Sequence, residues 1–187
     1  MDWIEIFKEK KALLNGHFQL SSGNHSQDYF QCALVLQYPD IAKNIAEDLA
    51  QKILIDVEVV VSPAMGGIII GHEVARALNT RAIFTEREDG EMKLRRGFSL
   101  KKGERALVVE DVLTTGKSSR EVIKVVQEAG AQVVGLASVV NRSVGNVNFA
   151  VPTYSLVELP LAIYDSANCP LCKQGLNLIK PGSRKIK

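Results

Sequence analysis

At 187 residues, with 46% hydrophobic and 24% charged side chains, the chain has the size and composition of one ordinary globular domain. Its net charge of +2 is too slight for a nucleic-acid binder, so an anionic ligand must be held locally. No apolar run approaches the roughly 20 residues of a membrane-spanning helix, and the acidic start Met1-Asp2-Trp3-Ile4-Glu5 is unlike a signal peptide, so a cytoplasmic protein without membrane association is expected.

Along the chain, Trp3 to Leu14 has helical periodicity, Tyr29-Phe30 suits a short strand, and Pro39-Asp40 opens a second helix that runs to Ile53. Val57 to Val61 is a nearly continuous apolar run ending at Ser62-Pro63. Gly66-Gly67 follows, then an apolar-periodic helix from Ile68 to Leu78. Arg81 to Thr85 reads as the next strand, and the charged, glycine-punctuated stretch from Glu86 to Lys102 as either a long loop or a solvated hairpin. Ala106 to Val109 returns to strand, Asp111 to Gly116 is a turn, and Ser118 to Ala129 is a helix stopped by Gly130. Val133 to Val140 is a further buried strand. Phe149 to Leu159 alternates like one or two strands interrupted by Pro152, and Lys180 to Lys187 is a basic tail.

Short β-branched runs alternating with amphipathic segments predict an α/β fold with a central, mostly parallel sheet flanked by helices. The whole chain, 1–187, is expected to form one domain with its core at about 40–145. The pieces at about 15–35 and 146–187 are too small to fold alone, and are expected to pack together as a small hood over one end of the sheet.

Three cysteines do not make a disulfide framework. Cys169-Pro170-Leu171-Cys172 has the spacing of half a zinc site, but the other half is missing unless Cys32 or a histidine folds in from far away. A structural role for the pair is expected, with activity surviving its replacement by serine.

The chemistry is concentrated in Leu107-Val108-Val109-Glu110-Asp111-Val112-Leu113-Thr114-Thr115-Gly116-Lys117-Ser118. A buried strand delivers two adjacent carboxylates, and a hydroxyl-rich glycine loop then opens directly into a helix. Ligands of open α/β sheets sit beyond the carboxyl ends of the strands, which is where these residues fall. Thr114 to Ser118 offers backbone N–H groups, three hydroxyls and the positive end of a helix dipole, the makings of a phosphate cradle. Glu110 and Asp111 would repel a phosphate but can accept hydrogen bonds from a sugar diol. Any one of these residues alone would suit a helix cap or a solvated turn. Their combination points to a site.

This segment resembles the motif with which type I phosphoribosyltransferases bind 5-phosphoribosyl diphosphate (PRPP): four apolar residues, two acids, then a Thr-Thr-Gly loop. The resemblance implies the type I phosphoribosyltransferase fold. It further implies that Glu110 and Asp111 hold the ribose hydroxyls, while Asp111, Val112, Leu113, Thr114, Thr115, Gly116, Lys117 and Ser118 wrap the 5-phosphate. Ser62-Pro63-Ala64-Met65-Gly66-Gly67 matches the loop in which the family binds pyrophosphate, here through Ala64, Met65 and Gly66. Family enzymes often carry a lysine in that loop, and this chain does not.

Flanking segments resemble the orotate branch of the family. Phe18-Gln19-Leu20-Ser21-Ser22-Gly23 precedes the aromatic pair Tyr29-Phe30, as in the segment that lines the base pocket, with Ser21 where many bacterial members have lysine. Val139-Val140-Asn141-Arg142 ends the last core strand where the family places an arginine near the orotate carboxylate, and a planar guanidinium suits that contact. Thr114, Arg142 and Phe30 are the implied orotate contacts. The stretch from Thr85 to Phe98 occupies the place of the family's mobile catalytic loop, with Arg87 and Lys93 as its catalytic members alongside Asp111, and Arg95 and Arg96 as further basic candidates. By the same resemblance Mg²⁺ arrives with PRPP, with Asp111 within its reach, and the chain is a homodimer whose loop reaches into the partner's site. Three rivals stay open: a purine or uracil phosphoribosyltransferase, a PRPP-sensing regulator without catalysis, and a plain nucleotide-binding domain. The last would want a Walker-type loop, of which Gly116-Lys117-Ser118 is only the ending.

Overall fold

A computed structural model of the chain describes residues 1–20, 22–143, 145, 147–160 and 162–181. In chain order its main elements are α1 (Trp3–Glu9), β1 (Leu13–Gln19), β2 (His25–Phe30), α2 (Ala33–Leu36), α3 (Pro39–Ala50), β3 (Val59–Pro63), α4 (Gly67–Ala77), β4 (Arg81–Glu88), β5 (Glu91–Leu94), β6 (Arg105–Leu113), α5 (Lys117–Glu128), β7 (Gln132–Asn141), β8 (Thr153–Glu158), β9 (Ile163–Tyr164) and α6 (Pro170–Lys173). They fall into two compact units, a core unit of Leu36–Leu159 and a terminal unit of Met1–Val35 with Pro160–Lys187. Among the described residues no helix is long and apolar enough to cross a membrane.

The core unit is a six-stranded sheet in the order β5-β4-β3-β6-β7-β8, parallel throughout except for β5, which runs antiparallel to β4. Strands covered on both faces need apolar side chains on both, and β3 is buried at every position. The two faces separate by alternation. Val59 and Val61 join Val108, Val122 and Val126 in the core beneath α5, whereas Val60 and Ser62 face α4. On that second face α3 packs against α4, burying Ile45 and Leu49.

The structure refines the sequence reading in three places. Helical periodicity runs on to Leu14, but α1 stops at Glu9 because Lys11 takes a left-handed conformation (φ 57°) and turns the chain into β1. The stretch after Thr85 is the hairpin of the two alternatives. Asp89 and Gly90 both have positive φ, as a two-residue type I′ turn requires, and Met92 of β5 is anchored in the core. Finally, β8 belongs to the core sheet, not to a terminal hood as its position beyond residue 146 suggests. It pairs with β7 from Leu136 opposite Thr153 to Asn141 opposite Glu158, and Pro152 sits just ahead of the strand, where a missing N–H breaks no ladder bond.

The terminal unit is a three-stranded sheet, β1-β2-β9, all antiparallel. Its small core includes Trp3, Phe7 and Phe30, with the Phe7 and Phe30 rings edge to face at 5.0 Å.

In the core unit, a Cβ added to Gly71 would lie 1.9 Å from Ser62 Oγ and 2.9 Å from Ser62 Cβ. Rotating the hydroxyl relieves only the first contact, so Gly71→Ala must push α4 off β3. It is expected to lower stability by about 1–3 kcal/mol, read as a fall in the urea midpoint at unchanged slope. An unchanged midpoint would show that α4 does not sit so close.

Candidate active site at the end of the central strand

β6 runs on to Leu113, paired with β7 up to Asn141, so Glu110 and Asp111 lie within the strand rather than in the turn predicted from Asp111 onward. The chain then leaves the sheet through Thr114, Thr115 and Gly116 and enters α5 at Lys117. Gly116 has φ 71°, and a Cβ there would meet the Phe149 ring at 2.7 Å and Val147 Cγ1 at 2.9 Å. Glycine is therefore required twice over, for conformation and for space. It is also the N-cap of α5, with no side-chain cap, so the first-turn N–H groups of this helix face the loop uncapped by a side chain.

The two carboxylates differ in exposure. Glu110 is buried and Asp111 half-buried. Burial first, and then the neighbouring Asp111 charge, push Glu110 from its ordinary 4.5 up to about 8, partly offset by a hydrogen bond from Ser119 Oγ at 3.4 Å. Asp111 is raised by burial too, against the pull of the Val112 N–H, which donates to its Oδ1 at 2.8 Å. Two such groups side by side resist ionising together. They form a site whose charged state needs hydrogen-bond donors or a cation from outside.

Around them is space of the right kind. A cavity of about 90 Å³, the room of about three waters, is lined by Glu110, residues 112–118 and Ser119. Thr114, Thr115 and Lys117 are exposed along it. The loop after β3 closes from the other side. Gly66 lies so near Asp111 that a Cβ would fall 2.6 Å from its Oδ2, and Gly67 packs against the Val109 carbonyl and Pro63. Ala64 donates its N–H to the Thr85 carbonyl at 2.8 Å, while the Met65 side chain is exposed. The Ala64–Met65 peptide is cis. α4, like α5, begins at a glycine N-cap without a side-chain cap. The structure thus brings the two predicted loops, 64–66 and 110–118, together.

Arg142 follows β7 directly, and its N–H donates to the Leu113 carbonyl at 2.8 Å, which ties it to the chain entering the loop. The turn there is fixed by Asn141, whose Oδ1 accepts from the Ser143 N–H and hydroxyl at 2.9 and 2.7 Å. On the β4–β5 hairpin the predicted cations are engaged with acids. Arg87 donates to the Gly90 carbonyl and pairs with Glu121 of α5, Lys93 pairs with Glu88 at 3.2 Å, Arg95 also meets Glu88, and Arg96 forks onto Glu86 at 2.7 and 2.8 Å. Arg96 holds Glu86 below the usual carboxylate range, by hydrogen bonding first and charge second.

Phe30 lies in the terminal unit, buried against Phe7, a packing role that its aromatic type alone accounts for. Ser21 lies outside the described residues. Ser119, Glu121 and Asn141 were not singled out in the sequence. Ser119 alone carried a signal there, as the inward-facing serine beside Ser118 on the first turn of α5.

Comparison with known proteins converges on one family. A phosphoribosyl transferase domain family matches residues 34–158. The orotate phosphoribosyltransferase of Carboxydothermus hydrogenoformans is 53% identical over 188 residues, spanning 99% of this chain and 98% of its own. That of Thermotoga petrophila is 52% identical over 184 residues, spanning 98% of both. The crystal structure of orotate phosphoribosyltransferase from Aeropyrum pernix matches with a TM-score of 0.64 at 26% identity, over 83% of this chain and 92% of that one.

The acid pair carries a pH signature. Because the Glu110 carboxyl titrates higher in the folded chain than its ordinary 4.5, the folded state holds the extra proton between 4.5 and about 8. Stability from this group is therefore full below 4.5 and is lost as pH rises through about 8. Glu110→Gln should flatten the decline of the ligand-free thermal midpoint across that window. An identical pH slope in wild type and variant would contradict the buried-pair geometry.

Proposed function

Because this chain belongs to the orotate phosphoribosyltransferase family, we propose that it transfers the 5-phosphoribosyl group of PRPP to N1 of orotate, giving orotidine 5′-monophosphate and pyrophosphate in the cytoplasm. The observation that carries this reading is buried Glu110, with half-buried Asp111 beside it, lining the cradle of residues 112–118. An acid pair for a diol and an uncapped helix start for a phosphate, a few residues apart, fit ribose 5-phosphate.

In this reading the C1–oxygen bond to pyrophosphate breaks as the C1–N1 bond to orotate forms, the N1 proton passing to the departing pyrophosphate or to water, with inversion at C1 and no protein nucleophile. Glu110 and Asp111 fix the ribose hydroxyls, so that C1 faces the base. The N–H groups and hydroxyls of Thr114, Thr115, Gly116, Lys117 and Ser118 hold the 5-phosphate. Ala64, Met65 and Gly66 approach the pyrophosphate through backbone, which suits a loop without a basic side chain. Arg142, tied by its N–H to Leu113, pairs with the orotate carboxylate, with Thr114 beside it. Arg87 and Lys93 leave their ion pairs to stabilise the departing charge. The hard oxygens of the acid pair fit Mg²⁺, with Asp111 the residue that would hold it. When bound, Mg²⁺ would supply neutralisation of the leaving pyrophosphate's charge.

The assay is direct. With PRPP and Mg²⁺, orotate should be consumed with release of one equivalent of pyrophosphate, whereas uracil and adenine should not react. Turnover of adenine or uracil in place of orotate would reassign the base. Arg142→Ala should raise the KM for orotate about tenfold to a hundredfold at nearly unchanged PRPP affinity, from loss of about 1.5–3 kcal/mol of charge-assisted hydrogen bonding. Equal weakening of both substrates would remove Arg142 from the base pocket.

The chain is further proposed to act as a homodimer in which the β4–β5 hairpin of one subunit serves the site of the other. Lys93→Ala and Asp111→Asn, each poorly active alone, should then regain activity when mixed and refolded, because a mixed dimer contains one site with both native groups. Random association limits recovery to about a quarter of wild-type activity. Mixed dimers that stay inactive would assign the hairpin to its own subunit or dismiss Lys93.

A further inference from the structure

The Cys169-Pro170-Leu171-Cys172 segment finds its missing partners in the terminal unit. His17 on β1 and His25 on β2 bring one ring nitrogen each to the two sulfurs, and all four ligand atoms lie within 4.8 Å of one another. Cys32, the other candidate at the level of sequence, is buried elsewhere and is not in the group. We propose that His17, His25, Cys169 and Cys172 form a tetrahedral Zn²⁺ site that staples the terminal unit, apart from the PRPP chemistry.

Four of the six edges between the ligand atoms match a coordination shell. A tetrahedron with Zn–N of about 2.05 Å and Zn–S of about 2.3 Å has N···S edges of about 3.6 Å and an N···N edge of about 3.3 Å. Here Cys169 Sγ and Cys172 Sγ lie 3.5 and 3.7 Å from His17 Nε2, Cys172 Sγ lies 3.4 Å from His25 Nδ1, and the two nitrogens are 3.0 Å apart. Each of these four edges falls within about 0.3 Å of the tetrahedral value. Two nitrogens and two sulfurs in this arrangement favour Zn²⁺ over the hard cations that take oxygen.

Each ligand is presented by local structure. β1 changes register against β2 between Asn15 and Phe18, and this irregularity turns both His17 and Phe18 inward, where a regular strand would bury only one. His17 and His25 are 2% and 5% exposed, so neither imidazole is kept for solvent contact. His17 Nδ1 lies 2.8 Å from the Leu176 carbonyl. A carbonyl can only accept, so Nδ1 carries the proton and Nε2 presents its lone pair to the sulfurs, the outer-shell arrangement of a metal-bound histidine. Cys169 and Cys172 bracket the first turn of α6, three residues apart and so on one face.

The location also gives the site a purpose. Two distant chain segments build this unit, and its three short strands enclose a small core. Units of that size commonly depend on a metal or a disulfide for stability. A metal here joins β1 and β2 of the first segment to α6 of the second. The structural role expected of the cysteine pair would thus be carried by a metal.

The test begins with chain purified under reducing conditions without chelator, then analysed for zinc and iron. About one zinc per chain is expected. Exchange for Co²⁺ should give the thiolate charge-transfer absorption and intense visible bands of a tetrahedral cobalt site. Chelation should lower the thermal midpoint, with recovery on Zn²⁺ but not Mg²⁺. Cys172→Ser and His25→Gln should each weaken zinc binding at least about a hundredfold, since even outer-shell changes cost ten- to a hundredfold. Where a variant fails to fold, competition of the wild-type chain against a chromophoric chelator still reads the affinity. Three results would overturn the proposal: zinc below a tenth of an equivalent after incubation with Zn²⁺, a native Cys169–Cys172 disulfide, or iron in place of zinc.

Discussion

Two carboxylates placed side by side at a poorly solvated strand end repel each other and resist ionisation, and the core unit is organised around that cost. The strand that bears them cannot shift to relieve it. β6 is hydrogen-bonded to β3 on one side and β7 on the other, and Ala106 to Val109 are buried without exception. What relief the chain supplies is local: Ser119 donates to Glu110 and the Val112 N–H to Asp111. Each bond fills one of roughly four acceptor positions on an ionised carboxylate. The remainder suits a ligand rich in hydroxyl donors or accompanied by a cation, and a sugar diol with Mg²⁺ is such a ligand. On the proposed function, the repulsion between the two acids would favour binding of such a ligand.

The same arrangement explains why small residues crowd this end of the sheet. Gly66 and Gly67 let the β3–α4 loop approach Asp111 and the Val109 carbonyl to distances that any side chain would forbid, and Gly71 lets α4 lie flat on Ser62. Gly116 does the same for the loop into α5 against Phe149. Backbone N–H groups are short donors. They can serve an anion only if nothing bulky stands between, so the close packing seen here is what the proposed phosphate binding would require.

The core was legible in the sequence because its signals are local. Val59–Val61, Ala106–Val109 and Val133–Val140 announce strands by composition, and Glu110-Asp111 with Thr114-Thr115-Gly116 announces a site by spacing. Where the reading failed, the deciding contact was remote. Leu13 and Leu14 fit a helical period as well as a strand, and only pairing with Tyr29 and Phe30 selects β1. Thr153–Glu158 looked like part of a terminal cap until the open edge of β7 claimed it. His17 and His25 are unremarkable as single residues, and Cys169 lies more than 140 positions further on, so no window of sequence could assemble the four. The extent of β6 past Asp111 was hidden likewise, because it depends on β7 reaching Asn141.

On the proposed function, the hairpin is where a chain of net charge +2 would meet its polyanionic substrate. Its cations are not held in reserve as bare charges. Lys93 and Arg95 share Glu88, Arg96 forks onto Glu86, and Arg87 meets Glu121 on α5. These basic side chains are 40–60% exposed, and ion pairs in such surroundings contribute about 0–1 kcal/mol each. On the proposed function, exchanging a carboxylate for a pyrophosphate oxygen would therefore cost little. A type I′ turn and the Met92 anchor hold the strand ends in register during such an exchange. Motion can then be confined to side chains and to the segment beyond Leu94, where Arg96 and Gly97 take positive φ and the chain leaves the sheet.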